Sequence, residues 1–385
     1  MPIGFRYKGN YEFTLERIDR VVLPWVTSYY AGWFWDWAGT VQNALDRVDP
    51  TTFTHFVFGR YAPGAGGALI EKAGTGHTAA EQALINKVHN FNKSALMMVG
   101  GAGDGNNWLA ATIDKNTRSI FIKNILDKCV QKDYEGVDID WEEQLDNDTK
   151  RNQLIVFLEE LRLEADKRDR YRPLNPSFII TFPGFCLNLN LDKVGSWKVK
   201  VASLVDQYNL MSYNQNFAAG GWYSWLFNAL KGHAQNYPTS VEGSINAYVA
   251  AGIDRKKLGI GLGLFCNGYK LPTTDIRQPQ PQNNKWGTTD YTQTWAKWYI
   301  EGLYKSENQV FDEQAQAYYY RYNPPIDRET MQLSILTNES LEDIALKGAW
   351  VRAGNCGGVI IWTENYGWVN GSNPPMQAVK NAFLT

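Results

Sequence analysis

Glu135-Gly-Val-Asp-Ile-Asp-Trp-Glu142 alternates acids with apolar residues. Successive side chains of a β-strand point to opposite faces, so Asp138, Asp140 and Glu142 share one face while Val137, Ile139 and Trp141 share the other. On a half-buried strand such a row is an ordinary wet face. In a parallel barrel both faces are covered, by the interior and by the helices, and three crowded carboxylates then meet desolvation and mutual repulsion. Both effects hold a proton within the row at neutral pH, which is what a general acid requires. How the run is read therefore depends on the fold around it.

Working outward, β-rich runs recur at 26–33, 53–59, 95–101, 136–141, 178–182, 208–213, 258–265 and 358–362. Between them, 79–91, 117–131, 151–167 and 241–251 carry apolar residues at three- and four-residue spacing, the mark of amphipathic helices. Ser340-Leu-Glu-Asp343 reads as a capping-box start, with Asp in place of Glu, to a helix just before the last strand. Alternating β and α elements imply parallel strands joined by crossovers, and eight of them predict an α/β chain closed into a (β/α)8 TIM barrel.

One interval breaks this rhythm. Residues 268–336 are too many for a single connection, which predicts a small α+β insertion subdomain between the seventh strand and its helix, with 1–267 and 337–385 forming the barrel. Within it, the Pro/Gln/Asn-rich run Arg277-Gln-Pro-Gln-Pro-Gln-Asn-Asn284 leaves a disordered linker over 272–284 as the other reading. Tyr318-Tyr-Tyr-Arg-Tyr322 fits either a wall of a groove or the subdomain's own core.

The 38 basic and 40 acidic residues leave a net charge of −2, with no electrostatic footprint for nucleic acid or an anionic membrane. Fifteen Trp and 21 Tyr, many beside Gly, Asn or Asp, suit the flat faces of sugars, although most large aromatics are core. Trp222, Trp225, Trp286, Trp295 and Trp298 are weaker stacking candidates. Cys129, Cys186, Cys266 and Cys356 are far apart and are expected as buried free thiols, and the four His residues show no metal-binding spacing, so no metal or cofactor is expected. Residues 1–10 lack the apolar h-region of a signal peptide and no run of 18 apolar residues exists, so no membrane association is expected; a monomer is expected. Gly100-Gly-Ala-Gly-Asp-Gly105 lacks the Lys-Ser/Thr of a phosphate loop and reads as a loop over the barrel mouth.

At Gly136, Asp138, Asp140 and Glu142 the chain resembles glycoside hydrolase family 18, the chitinases and their relatives, whose fourth strand ends in DGxDxDxE. Val26-Thr-Ser-Tyr-Tyr-Ala-Gly-Trp33 resembles the family's first strand, Leu210-Met-Ser-Tyr-Asn214 its sixth, and Gly357-Gly-Val-Ile-Ile-Trp362 its eighth. The resemblance implies retaining, substrate-assisted hydrolysis of chitin or chito-oligosaccharides, in which the 2-acetamido group of the substrate is the nucleophile. It implies Glu142 as proton donor, Asp140 as partner of Glu142 and of the acetamido group, Asp138 sharing a proton with Asp140, and Tyr213 donating to the acetamido oxygen. Trp362 would floor the sugar pocket, with Tyr29, Met211, Asn214, Gly100, Gly101, Trp33 and Phe58 as further sugar contacts. An extracellular site of action goes with that substrate.

Four positions depart from the family pattern. Glu135 stands for the first motif Asp, Met98 for the third-strand Ser that supports Asp138, Ala102 for a frequent stacking Trp, and Asn214 for a frequent Asp. Two other functions remain compatible with the motif: an endo-β-N-acetylglucosaminidase acting on N-glycans, and a chitin-binding, lectin-like protein with weak catalysis.

Overall fold

The computed structural model describes residues 4–8, 12–16, 23–34, 39–72, 77–172, 178–216, 222–279, 293–328 and 331–385. Eight parallel strands, Trp25–Ala31, His55–Pro63, Ser94–Gly100, Gly136–Asp140, Ile179–Phe185, Gln207–Met211, Leu258–Gly263 and Gly358–Trp362, are hydrogen-bonded in sequence order. The eighth closes on the first, Val359 opposite Val26, so the sheet is the expected (β/α)8 barrel. A short strand, Leu69–Glu71, adds antiparallel to the second.

The crossover helices form where the apolar spacing placed them, and side chains fix their ends. Asp114 accepts from the amide of Thr117 to start helix Lys115–Lys132, and Asn147 accepts from Lys150 to start helix Asp148–Ala165. Their apolar stripes, including Phe121, Ile125, Leu154, Phe157 and Leu161, bury against the outward residues of the strands. Val137 and Ile139 of the fourth strand belong to that outer core, and Trp141 stacks on Trp108 with ring centroids 5.1 Å apart. Because the apolar set faces the helices, alternation turns Asp138 and Asp140 into the barrel.

After the seventh strand the chain builds a five-stranded antiparallel sheet in the order Gln293–Thr294, Phe265–Lys270, Met331–Asn338, Ala317–Arg328, Gln309–Asp312. The tyrosine run packs this unit: Tyr319, Tyr320 and Tyr322 are buried within its own clusters. Ser340 and Asp343 make the capping box reciprocally, each amide donating to the other's side chain at 3.0 Å. Asp343 also accepts from the amide of Tyr318 at 2.8 Å, so the shorter acid ties the barrel helix Leu341–Trp350 to the inserted sheet. Residues 272–279 are anchored, Arg277 pairing with Asp312, while 280–284 and Trp286 lie outside the described residues. All four cysteines are free and buried.

Candidate active site

The acid row runs out of the barrel interior toward its C-terminal mouth. Asp138 is fully buried, Asp140 nearly so, and Glu142 half-buried. Oδ1 of Asp138 accepts from the Tyr29 phenol at 2.9 Å and from the Thr181 hydroxyl, while its Oδ2 is buried without a hydrogen-bond partner. Thr181 lies directly across the strand register from Asp138 and supplies, with Tyr29, the hydroxyl support that Met98 cannot give. Met98 instead packs in the apolar barrel interior with Val57, Leu96 and Ile179.

Burial dominates the electrostatics of the row. It pushes Asp138 up to about 6, against the pull of the two hydroxyl donors. Asp140 is raised well above the carboxylate range by burial and by its neighbours Glu142 and Asp138, with Arg60 opposing. Glu142 is pushed up to about 7 by burial, then by Glu143 and Asp138, while Arg60 and the amide of Ala102 pull it down. A carboxyl titrating there carries its proton at neutral pH and can release it. The Tyr213 phenol is raised well above its usual value by burial and by the same three acids, so it stays an O–H donor.

The loop after the third strand grips this row through successive amides. Gly101 N–H donates to the backbone oxygen of Asp140 at 2.8 Å, Ala102 N–H to the Glu142 carboxylate, and Gly103 N–H to Oε1 of Glu143 at 2.9 Å. Gly100 and Gly101 are glycine for a reason: both have positive φ, and a Cβ on Gly100 would sit 2.4 Å from the Asp140 oxygen. The run read as a loop over the mouth is thus also a clamp on the acids.

Tyr29, Ala102, Asp140, Glu142, Met211, Tyr213 and Trp362 line one pocket of about 190 Å³, completed by Pro183 and Ile360. Trp33 stands at its edge, 6.0 Å from the Trp362 ring. Gly100 and Gly101 lie behind it as backbone supports. Phe58 is not brought there: it is fully buried and stacks on Tyr30 in the outer core, because it shares the outward face with Phe56 while Val57 points inward. Asn214 is exposed and absent from the lining, its side chain accepting from Asn267 at 2.5 Å across to the inserted sheet. Trp225, Trp295 and Trp298 are buried and so unavailable for stacking on a ligand. Pro183, Ile360 and Thr181 were not singled out by sequence, and only the isolated hydroxyl of Thr181 in an apolar strand marks any of them.

A larger cavity of about 410 Å³ among Trp25, His55 and Lys93 lies at the opposite end, where the strands begin. Barrel enzymes do not place chemistry there, and burial pushes His55 down to about 4, leaving it neutral. Among the described residues, no cluster of His, Cys, Asp or Glu is suited to hold a metal ion.

The sequence profile of glycosyl hydrolases family 18 matches residues 26–366. Chitinase 1 of Aphanocladium album is 22% identical over 327 residues, covering 82% of this chain and 72% of that protein. Endochitinase 1 of Metarhizium anisopliae is 23% identical over 293 residues, covering 73% of this chain and 63% of that one. The solved GH18 chitinase from Cycas revoluta in complex with (GlcNAc)3 has a TM-score of 0.74 at 17% identity, covering 93% of this chain and 99% of that. The class V chitinase from Nicotiana tobaccum gives 0.74 at 18%, with 93% and 98% covered. At these identities the structural likeness speaks for the fold.

Proposed function

The chain belongs to glycosyl hydrolases family 18, and from that premise we propose that it is a chitinase, cleaving β-1,4-linked N-acetylglucosamine chains with retention through the substrate's own acetamido group. The observation that carries this reading is the placement of the acids. Among the described residues, the pocket lining contains two carboxylates, Asp140 and Glu142, and both come from one wall. A retaining enzyme with its own nucleophile needs carboxyl groups on both flanks of the scissile bond, so here the nucleophile must come with the substrate.

Glu142 gives its proton to the glycosidic oxygen as the C1–O bond breaks. The acetamido carbonyl oxygen attacks C1, its N–H facing Asp140 and its oxygen receiving the Tyr213 O–H. Asp140 and Asp138 hold one proton between them, and the unpartnered Oδ2 of Asp138 is the oxygen free to take it. Ionised Glu142 then takes a proton from water, which opens the oxazolinium at C1 with net retention. Trp362 offers an apolar face for the sugar ring. Chitin is laid down outside cells, and action there is part of the proposal.

The test uses a defined chitin hexamer. Expected products are shorter oligomers that appear first as the β-anomer, with Glu142→Gln slower by roughly a thousandfold. First products of the α-anomer, or equal turnover by wild type and Glu142→Gln, would overturn the reading. Glycan release from a high-mannose glycopeptide with no hexamer cleavage would replace chitin by N-glycans as the substrate.

A further inference from the structure

Arg60 has no part in the proton transfers above, yet the second strand is distorted to place it. Phe58 and Tyr61 both point outward, Tyr61 reaching Glu81 at 2.7 Å, although strict alternation would put them on opposite faces. The register with the third strand slips between these two residues, a bulge that inserts one extra position and re-aims Arg60 toward the barrel mouth. There its guanidinium donates to the Gly100 oxygen at 3.4 Å, lies 3.5 Å from Oδ2 of Asp104, and sits over the Trp33 ring at 5.9 Å.

Gly101, with the end of the Met98 side chain beside it, lies between this cation and the acid row. A Cβ built on Gly101 would be 2.7 Å from Nη1 of Arg60 and 3.6 Å from Oδ2 of Asp140. We propose that Arg60 is the positioning counter-charge of the acid row, a cation held by Gly100 and Asp104 that acts on the reaction through Asp140 and Glu142 without touching the reacting atoms. This rests on the reading of Glu142 as the acid.

The groups facing Glu142 and Asp140 fall into opposing sets. Asp138 favours the protonated form of both acids, Glu143 that of Glu142, and Glu142 and Asp104 that of Asp140. Arg60 opposes them on both acids, with Lys72 next in line at 3.8 Å from Asp104. The phenols of Tyr29 and Tyr213 remain neutral and add no charge. Without Arg60 the row would hold its protons more tightly, and Glu142 would stay protonated to higher pH but part with its proton less readily.

The pH dependence of kcat/KM on chitin hexamer tests this. Activity falls on the alkaline side as Glu142 loses its proton, so Arg60→Met should move that limb upward by roughly one pH unit. Arg60→Lys, which keeps the charge, should restore the wild-type limb. A limb unmoved in Arg60→Met, or moved as far in Arg60→Lys, overturns the proposal. Should thermal unfolding show Arg60→Met to be misfolded, Arg60→Gln carries the test: it keeps a donor for the Gly100 oxygen and loses the charge, so the limb should again move upward, and a limb that stays or falls overturns the proposal. Equal turnover by wild type and Glu142→Gln would instead remove the acid itself, an outcome the Arg60 profiles cannot mimic.

Discussion

Tyr29 on the first strand donates its phenol to Oδ1 of Asp138 on the fourth, at 2.9 Å through the barrel interior. Thr181 on the fifth strand donates to the same oxygen. Two donors on one buried carboxylate oxygen favour its charged form and keep Asp138 from rising further than about 6. Thr181→Val removes one of them while conserving shape. The acidic limb of the pH–rate profile should then move upward, with roughly a tenfold loss of kcat/KM near pH 5. Urea unfolding should show a loss of about 2 kcal/mol at pH 8, where the carboxylate is charged, and less at pH 5, where its proton removes the need for a donor. An unmoved acidic limb would mean that Asp138 does not control it.

In the proposed reaction Glu142 sets the other limb. Its carboxyl is pushed up to about 7, so activity should fall as pH rises through that value. Glu143 is the largest contributor to this rise after burial, yet its side chain is exposed and screened by solvent. Glu143→Gln should therefore lower the alkaline limb by only a few tenths of a unit, and raised salt should shrink the difference. A shift that is large and indifferent to salt would point to a structural change instead.

The fold was legible because the barrel strands are apolar runs separated by helices of strict apolar spacing, and local periodicity survives without knowledge of neighbours. The acid row was legible for the same reason, since Asp138 and Asp140 lie on one strand and Glu142 follows two residues past its end. What escaped depends on register between strands far apart in sequence. Thr181 matters only because it lies opposite Asp138. Phe58 faces the helices and Arg60 the mouth because a bulge falls between Phe58 and Tyr61, and in His55-Phe-Val-Phe-Gly-Arg-Tyr61 only Gly59 hints at it. The tyrosine run read equally as wall or core, and only its pairing with Gln309–Asp312 and Met331–Asn338 resolves that.

Glu135, where the family motif has Asp, works at the far end of the fourth strand from the chemistry. Its carboxylate accepts from the Ala95 amide at 2.7 Å and pairs with Arg170 and His89, each at 3.0 Å, while Asp133 adds a second partner for both. The longer side chain reaches all three. Glu135→Gln should leave kcat unchanged and cost about 1–2 kcal/mol in urea unfolding, since the cluster is only partly buried. His89 is raised above its usual value, chiefly by the Glu135 hydrogen bond and against burial. A raised histidine stabilises the fold fully below its unfolded value, and that contribution fades as pH rises through the folded one. The gap between wild type and Glu135→Gln should accordingly be wider at pH 6 than at pH 9. A loss of kcat without loss of stability would place Glu135 in the reaction after all.

Tyr213 gives the sharpest test of the substrate-borne nucleophile. Its ring is held edge-on against Phe265, centroids 5.7 Å apart, and its phenol faces the same pocket as Glu142. Burial and three nearby acids keep it protonated throughout the working range. In the proposed reaction its O–H meets an acetamido oxygen whose bond to C1 is forming, so its direction guides attack from the transition state onward. Tyr213→Phe keeps the ring and its packing but loses the donor. The expected result is a fall in kcat of about 10²–10³ with KM changed far less, as for loss of a preorganised donor to a reacting oxygen. Because the lost group does not titrate, the deficit should be the same across the pH range, unlike the displaced limbs of Thr181→Val and Glu143→Gln. A deficit that appears only in KM would make Tyr213 a ground-state contact and leave the acetamido oxygen without its guide.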